Sequence, residues 1–219
     1  MFRIILIASL IMLGLWSCGE SDPGSNMQDL NEGRLNIQVR ILNASQASTA
    51  DVVTLNTAMV VLRKIEILDS DGRGVNLLSN GPIIADLASI DTTSQLATLS
   101  LPYAEYTEAR LSLGPLVSTD GQLYTDNPEL QSQSCMVNGF ATTLFTRPFE
   151  YASGFTYNEE KILEQPIQLN SGQQENKLEI VIDLSSWFLT SEGTFIDPAQ
   201  SENKDLIDET IVSSFTLER

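Results

Sequence analysis

The stretch Gly33-Arg34-Leu35-Asn36-Ile37-Gln38-Val39-Arg40-Ile41 sets the fold class, because its apolar residues fall on every second position. Successive side chains of an extended strand point to opposite faces, so this pattern buries one face and leaves the other in water. The same alternation returns in Lys177-Leu178-Glu179-Ile180-Val181-Ile182-Asp183-Leu184. Both segments are therefore predicted to be half-buried strands of antiparallel sheets.

Beyond these two segments, many further short apolar runs are separated by turns rich in Gly, Pro, Asn and Asp. Such a chain is typical of a β-sandwich. One short helix is predicted near the C-terminus, with Asp197 as its N-cap and Pro198 at its first position, and residues 203–209 continue or restart it. The predicted fold is an all-β antiparallel sandwich with this one helix. The further predicted strands are residues 58–68, 75–78, 83–87, 97–101, 107–113, 122–124, 140–146, 149–151, 155–157, 167–169 and 211–217.

The charge balance excludes several functions. The 219 residues include 29 acids, 12 bases and no histidine, a net charge of −17. Without histidine there is no Ser-His or Cys-His couple and no imidazole ligand for a metal. A chain this acidic repels phosphate backbones, so no nucleic-acid partner is expected.

The first residues have the pattern of a secretory signal. Arg3 precedes an apolar run from Ile4 to Trp16, which is shorter than the ~20 residues that a membrane-spanning helix needs. The sequence Leu15-Trp16-Ser17-Cys18 then resembles the lipobox of bacterial lipoproteins. The resemblance implies cleavage between Ser17 and Cys18 and a diacylglyceryl group on the Cys18 thiol, which would attach the protein to a membrane.

This interpretation divides the chain into a signal peptide (1–17), a lipidated cysteine with a flexible tether (18–32) and a single β-sandwich domain (33–219). Removal of the signal takes away one base, Arg3, and gives a net charge of −18. Glu20 and Asp22 resemble the acidic stretch that sends lipoproteins to the cell surface in some Gram-negative lineages, and this resemblance implies the cell surface rather than the periplasmic face of the outer membrane. With Cys18 acylated, Cys135 has no partner within the chain. It is expected to be a buried small hydrophobe, and the alternative is a redox or catalytic thiol.

Three segments are similar to a group of uncharacterised bacterial cell-envelope lipoproteins. They are Ala58-Met59-Val60-Val61-Leu62, the Leu-Pro-Tyr to Ala-Arg-Leu-Ser-Leu stretch at 101–113, and the closing segment Asp183-Leu184-Ser185-Ser186-Trp187-Phe188 with Phe195-Ile196-Asp197-Pro198 and Asn203. The resemblance implies an immunoglobulin-like or transthyretin-like sandwich in the envelope. It brings no catalytic residues with it.

The turn Asp69-Ser70-Asp71-Gly72 has two interpretations. Asp69 and Asp71 have the spacing of a calcium loop, but a helix-loop-helix site would also need acids at the positions of Arg73 and Asn80. The favoured interpretation is a hairpin turn that uses Asp and Gly for their backbone freedom. No cofactor is expected, with calcium as the alternative.

Six aromatic residues lie between positions 140 and 157. The spacing puts Phe149 and Tyr151 on one strand face, and Phe155 and Tyr157 on one face beyond a turn at 152–154, which predicts a cross-strand aromatic set. Core packing is the first interpretation. The alternative is a partly exposed platform for sugar rings or a protein partner. Trp187 is expected in the core.

These observations predict a non-enzymatic envelope lipoprotein that acts as a binding or surface-display module, in contact with a glycan or an envelope protein. The residues predicted for contact are Phe149, Tyr151, Phe155 and Tyr157. No catalytic residue is predicted. One alternative is an acidic protein that binds divalent cations such as calcium, and the other is an envelope hydrolase.

Overall fold

Two β-sheets face each other across one hydrophobic core in a computed structural model, which describes residues 32–42, 52–90, 92–142, 144–171 and 176–219. Residues Asn31–Arg219 cluster as one unit. Ser17 and Cys18, with the whole predicted signal, lie outside the described residues. Within those residues, no helix is both long and apolar enough to cross a membrane.

The described residues form eleven strands and two α-helices, joined by turns and short 3-10 segments. In chain order they are β1 (Glu32–Leu42), β2 (Val52–Asp69), β3 (Gly74–Asn76), β4 (Ile83–Asp86), β5 (Thr93–Pro102), β6 (Glu105–Leu113), α1 (Gln122–Asp126), β7 (Cys135–Thr142), β8 (Thr146–Ser153), β9 (Tyr157–Gln168), β10 (Asn176–Asp183), α2 (Lys204–Ser213) and β11 (Phe215–Glu218).

The smaller sheet has the strand order β11-β10-β1-β5. Its inner face carries the alternating residues of β1, Leu35, Ile37, Val39 and Ile41, all buried. The predicted all-β sandwich is confirmed, with one departure from the antiparallel pattern: β1 and β10 pair in parallel, with Leu35 opposite Asn176. The remaining strand pairs of both sheets are antiparallel.

The larger sheet is built around β2. Both β4 and β6 pair with Leu62, so they lie on opposite sides of β2. In the same way, β4 and β7 both pair with Met59 and Val60, and β3 and β6 both pair with residues 66–68, so the two strands of each pair lie on opposite sides of β2. Strands β6 and β7 therefore follow one another along one side of β2, and β3 and β4 along the other. Because β9 pairs with β6 and β8 with β7, these two also lie end to end, as the outermost ribbon.

Residues 114–134 leave the sheet between β6 and β7 and carry α1. Val61 of β2 continues the hydrogen bonding between β6 and β7, since its backbone N–H donates to the Ser134 carbonyl and its own carbonyl accepts from the Gly114 N–H. Val60 faces the main core, whereas Val61 packs on the outer face of the sheet against Leu116 and Leu130 of this insertion. The prediction of a strand at 122–124 is wrong, because these residues belong to α1.

The C-terminal helix begins later than predicted. Asp197 does not cap it, and α2 runs over Lys204–Ser213, where Ile207 and Ile211 bury one face. The predicted strand at 211–217 is wrong in its first half, because Ile211 continues the helix and β11 begins only at Phe215. Trp187 is fully buried, as predicted, and its indole donates to the Ser214 hydroxyl at 2.7 Å.

We expect Gly139→Ala to destabilise the protein by about 1–3 kcal/mol, as overpacking does in a tight site. A Cβ at Gly139 would lie 2.0 Å from the carbonyl oxygen of Thr54, where β7 crosses an irregularity in β2. Urea unfolding measures the change in the free energy of unfolding. Asn138→Ala, at the neighbouring half-buried position, is the control. Equal stability of Gly139→Ala and the wild type would contradict the close approach of these two strands.

Candidate contact surface

The aromatic segment between positions 140 and 157 is split between core and surface. Phe149 and Tyr151 lie on β8 with their side chains buried. Both rings meet Phe188 edge to face, with ring centroids 5.3 Å and 6.5 Å away. Their buried rings are therefore not available for stacking on a sugar or a partner. This corrects the expectation of an exposed platform at these two positions and agrees with the core interpretation.

Tyr151 also fixes α2 against the end of β8. Its hydroxyl donates to Asp208, whose second carboxylate oxygen accepts from the Ser153 hydroxyl at 2.7 Å. The Lys204 ammonium lies 5.1 Å from the centre of the Tyr151 ring and donates to the carbonyl of Ala152 at 2.8 Å. Burial, and then the bond to Asp208, raise the pKa of Tyr151 above its usual value. The group is a neutral donor that attaches the helix to the strand.

Cys135 lies fully buried at the start of β7 and carries a free thiol. Burial raises the pKa of this thiol far above its usual value, with a smaller contribution from the Asp208 charge. A thiol that stays protonated and inaccessible is a poor nucleophile. The structure thus agrees with the prediction of a buried small hydrophobe.

Phe155 and Tyr157 do not pair across a hairpin with Phe149 and Tyr151. Because β8 and β9 lie end to end along the same ribbon, residues 154–156 join two collinear strands and no hairpin turn forms there. Both Phe155 and Tyr157 are half-buried against the main core. The Tyr157 hydroxyl lies 3.4 Å from Glu159, and burial raises the pKa of both groups.

Among the described residues, three of the six exposed large apolar side chains lie at the end of the β7–β8 hairpin. Leu144 is 91% exposed, Phe145 is 81% exposed and Phe140, on β7, is 41% exposed. We call these three residues the apolar tip. The sequence predicts one strand over 140–146, but the structure ends β7 at Thr142 and begins β8 at Thr146. The prediction misses this turn because Leu144 and Phe145 are apolar, whereas turns usually contain Gly, Pro, Asn, Asp or Ser.

The hairpin that carries the apolar tip is held at its base. The hydroxyls of Thr142 and Thr146 share a hydrogen bond of 3.0 Å across the turn. Arg147 forms an ion pair with Asp197, whose carboxylate also accepts from the Ala199 N–H and the Gln200 side chain. Burial alone would raise the pKa of Asp197, but these donors outweigh it, and the pKa lies below its usual value. The hairpin is thereby joined to the loop before α2.

The sequence around the apolar tip differs in charge from the rest of the chain. Residues 139–149, Gly-Phe-Ala-Thr-Thr-Leu-Phe-Thr-Arg-Pro-Phe, contain one base and no acid, in a protein with a net charge of −17. Charged side chains are depleted and aromatic ones enriched at the centre of protein interfaces. The apolar tip has this composition, whereas the predicted set at 149–157 is largely used for packing.

Asp69 and Asp71 form a hairpin turn between β2 and β3, as the favoured interpretation predicts. Asp69 accepts from the backbone N–H groups of Asp71 and Arg73, and the Arg73 guanidinium binds both carboxylates. The Arg73 N–H lowers the pKa of Asp69, with burial opposing it. One arginine thus pairs with both carboxylates of the turn. Among the described residues, no group of three potential metal-ligating side chains is found.

The most buried carboxylates are paired inside the fold. The carboxylate of Asp120, in the insertion, accepts hydrogen bonds from both terminal nitrogens of Arg63 at 2.8 and 2.9 Å. This pair fixes the insertion to β2. Glu179 on β10 accepts from Arg40 and Lys177, each at 2.9 Å. These pairings give the acids a structural role, and Arg40 also binds Glu218, which lies opposite Glu179 on β11.

Comparison with family models, with curated proteins and with solved structures gives no match for this chain. The resemblance to envelope lipoproteins with an immunoglobulin-like or transthyretin-like domain therefore stays a prediction.

The Arg63–Asp120 pair should make the protein sensitive to acid. The bond from Arg63 lowers the pKa of Asp120 in the folded state, so its contribution to stability is complete above the unfolded pKa and is lost as pH falls through the folded pKa. We expect Asp120→Asn to be less stable than the wild type at pH 7, and this gap in the free energy of unfolding to narrow by about pH 3. Urea unfolding at both pH values measures it.

Asp126→Asn is the matched control, because Asp126 is an exposed acid of the same insertion. This variant should have the stability of the wild type. A gap for Asp120→Asn that stays constant between the two pH values would contradict an ionised Asp120 held by Arg63.

Proposed function

We propose that this protein is a non-enzymatic, lipid-anchored binding module of the bacterial envelope, and that it contacts an envelope protein through the apolar tip. The observation that carries the proposal is the exposure of Leu144 and Phe145, two large apolar side chains side by side on a hairpin whose base is fixed. Scattered exposed apolar residues are ordinary, but contiguous ones mark sites of contact with a protein or a membrane.

Burial of the apolar tip in a partner would release free energy. Full burial of a Leu or Phe side chain contributes about 1.5–3 kcal/mol, so the two residues could supply a large share of the free energy of a transient complex. The ion pair of Arg147 with Asp197 holds the base of the hairpin, which limits the ordering that binding would require there.

A protein partner fits the chemistry of the apolar tip better than a glycan. Sugar rings stack on aromatic faces, but their hydroxyl groups also need polar side chains beside the ring. In the sequence Phe145 is flanked by Leu144 and Thr146, and the Thr146 hydroxyl already bonds to that of Thr142. An apolar pocket on a protein requires no such polar groups.

The position of the apolar tip supports contact away from the anchoring membrane. The described domain begins at Glu32, opposite Pro102, and Gly33 packs on Leu169 at the end where β2 finishes. The apolar tip lies beside Val52, at the start of β2. Eighteen residues of strand separate these ends, about 55 Å at ~3.3 Å per residue. A tether from Cys18 would join the domain at Glu32, at the first end, and the apolar tip lies at the other end of β2.

We expect the double variant Leu144→Ser, Phe145→Ser to lose most of its capture of envelope proteins, by tenfold or more, with little change in Tm because both side chains are exposed. Crosslinking in intact cells, followed by affinity purification of the full-length protein, measures capture. Ile162→Ser is the matched control, since Ile162 is 80% exposed on β9, far from the hairpin.

Two outcomes would overturn the proposed contact. Capture by the double variant equal to that by the wild type would show that the apolar tip is not the contact surface. If the double variant keeps the Tm of the wild type but binds protein-free lipid vesicles more weakly than the wild type does, the apolar tip contacts a membrane instead.

The anchor is tested separately. We expect Cys18→Ala to accumulate as an unprocessed precursor and to incorporate no labelled fatty acid, because the thiol that would carry the lipid is gone. Metabolic labelling of cells measures this, with Cys135→Ala as the control cysteine. Normal labelling of Cys18→Ala would contradict the lipid anchor, whatever the result at the apolar tip.

A further inference from the structure

The edges of the two sheets are protected unequally. The outer strand of a sheet presents unpaired N–H and C=O groups to solvent, and proteins discourage the addition of a further strand with charges, prolines or short edge strands. Among the described strands, the edges are β5 and β11 in the smaller sheet. In the larger sheet they are the ribbon of β3 and β4 and the ribbon of β8 and β9.

Three of these four edges carry such protection. Strand β11 has four residues, and β3 and β4 have three and four. Strand β8 contains Pro148 with Arg147 and Glu150. Strand β9 contains Pro166 and a run of charged side chains, which are Glu159, Glu160, Lys161 and Glu164.

Strand β5 lacks this protection. Its ten residues, Thr-Ser-Gln-Leu-Ala-Thr-Leu-Ser-Leu-Pro at 93–102, contain no charged side chain, and the only proline is the last residue. No second strand pairs with β5 in the part of the chain that the structure describes. A long uncharged edge is unexpected in a chain that carries 41 charged residues, 29 acids and 12 bases.

The register shows which backbone groups of β5 are free for pairing. The Ile41 N–H donates to Thr92, so Ile41 and every second residue before it on β1 direct their backbone groups to β5. Leu35 belongs to this set and lies opposite Leu99. The backbone groups of Leu99 therefore face β1, and those of its neighbours Thr98 and Ser100 face away from it.

An apolar groove runs beside this edge, between β5 and the segment that joins β3 to β4. Its volume is about 190 Å³. Leu77, Leu78 and Ile83 line one wall, and Leu96 and Leu99 of β5 line the other. A strand added to β5 would present alternate side chains to this groove. The edge and the groove together match what an extended peptide with alternating apolar residues requires.

We propose that β5 binds an extended segment of another protein by strand addition, with alternate apolar side chains of that segment in the groove and basic residues beside them. The basic residues follow from the charge of the whole chain, which is −17 and attracts cationic segments, although β1 places Arg34 opposite Ser100. Two copies of this chain would repel each other for the same reason. This site is separate from the apolar tip and does not depend on it.

The test uses the full-length protein and a short fluorescent peptide in which Val and Thr alternate between two terminal Lys residues. Fluorescence anisotropy measures binding, and hydrogen exchange measures protection of the Thr98 and Ser100 amides. We expect saturable binding, slower exchange at both amides, and at least tenfold weaker binding by Ser100→Pro, which removes an outward N–H. Ser100→Ala, which keeps that N–H, should bind as the wild type does.

Ser100→Lys is a second variant that places a charge on the edge without removing the N–H, and it should also weaken binding if Ser100→Pro fails to fold. The proposal is overturned if the peptide does not bind, or if Ser100→Lys and a folded Ser100→Pro bind as tightly as the wild type. Concentration-dependent dimers of the protein alone that Ser100→Lys dissociates would assign the edge to a second copy and likewise overturn it. The Leu144→Ser, Phe145→Ser variant should bind the peptide normally, which separates this site from the apolar tip.

Discussion

The hydrogen-bond ladder through β2 holds the larger sheet together and sets the positions of its other strands. Strands β3 and β4 pair with one side of β2, and β6 and β7 with the other, so one continuous strand of eighteen residues fixes their register. Around its midpoint Val60 faces the main core and Val61 faces the insertion. Neither face of the strand is free at this point, and this explains why apolar residues stand at consecutive positions there.

The arrangement of the outer ribbons follows from that ladder. Because the insertion at 114–134 leaves the sheet without interrupting the pairing at Val61, β6 and β7 continue one line, and β8 and β9 must do the same. The β7–β8 hairpin then extends to the end of the sandwich opposite Glu32. The buried Phe149 and Tyr151 fix its base, and the apolar tip lies beyond it. At the side of the smaller sheet, β5 is left as an uncharged edge.

The sequence correctly predicts those strands that have one face buried in the core and the other exposed to solvent. Leu35, Ile37, Val39 and Ile41 are all buried, as their alternation indicates. Helix α2 is predicted with the wrong ends, because Ile211 satisfies a strand pattern and a helix pattern equally. The parallel pairing of β1 with β10 leaves no local signal, since a half-buried strand has the same alternation in either direction.

The contact surface is harder to predict for a physical reason. Spacing shows that Phe149 and Tyr151 share a face, but only the sheet order shows that this face is covered by Phe188. Contact between Phe145 and a protein partner can be tested by site-specific photocrosslinking in intact cells. A benzoylphenylalanine in place of Phe145 should give a discrete crosslinked protein band, and one in place of Ile162 should not. Equal crosslinking from both positions, or none from Phe145, would contradict a protein contact at the apolar tip.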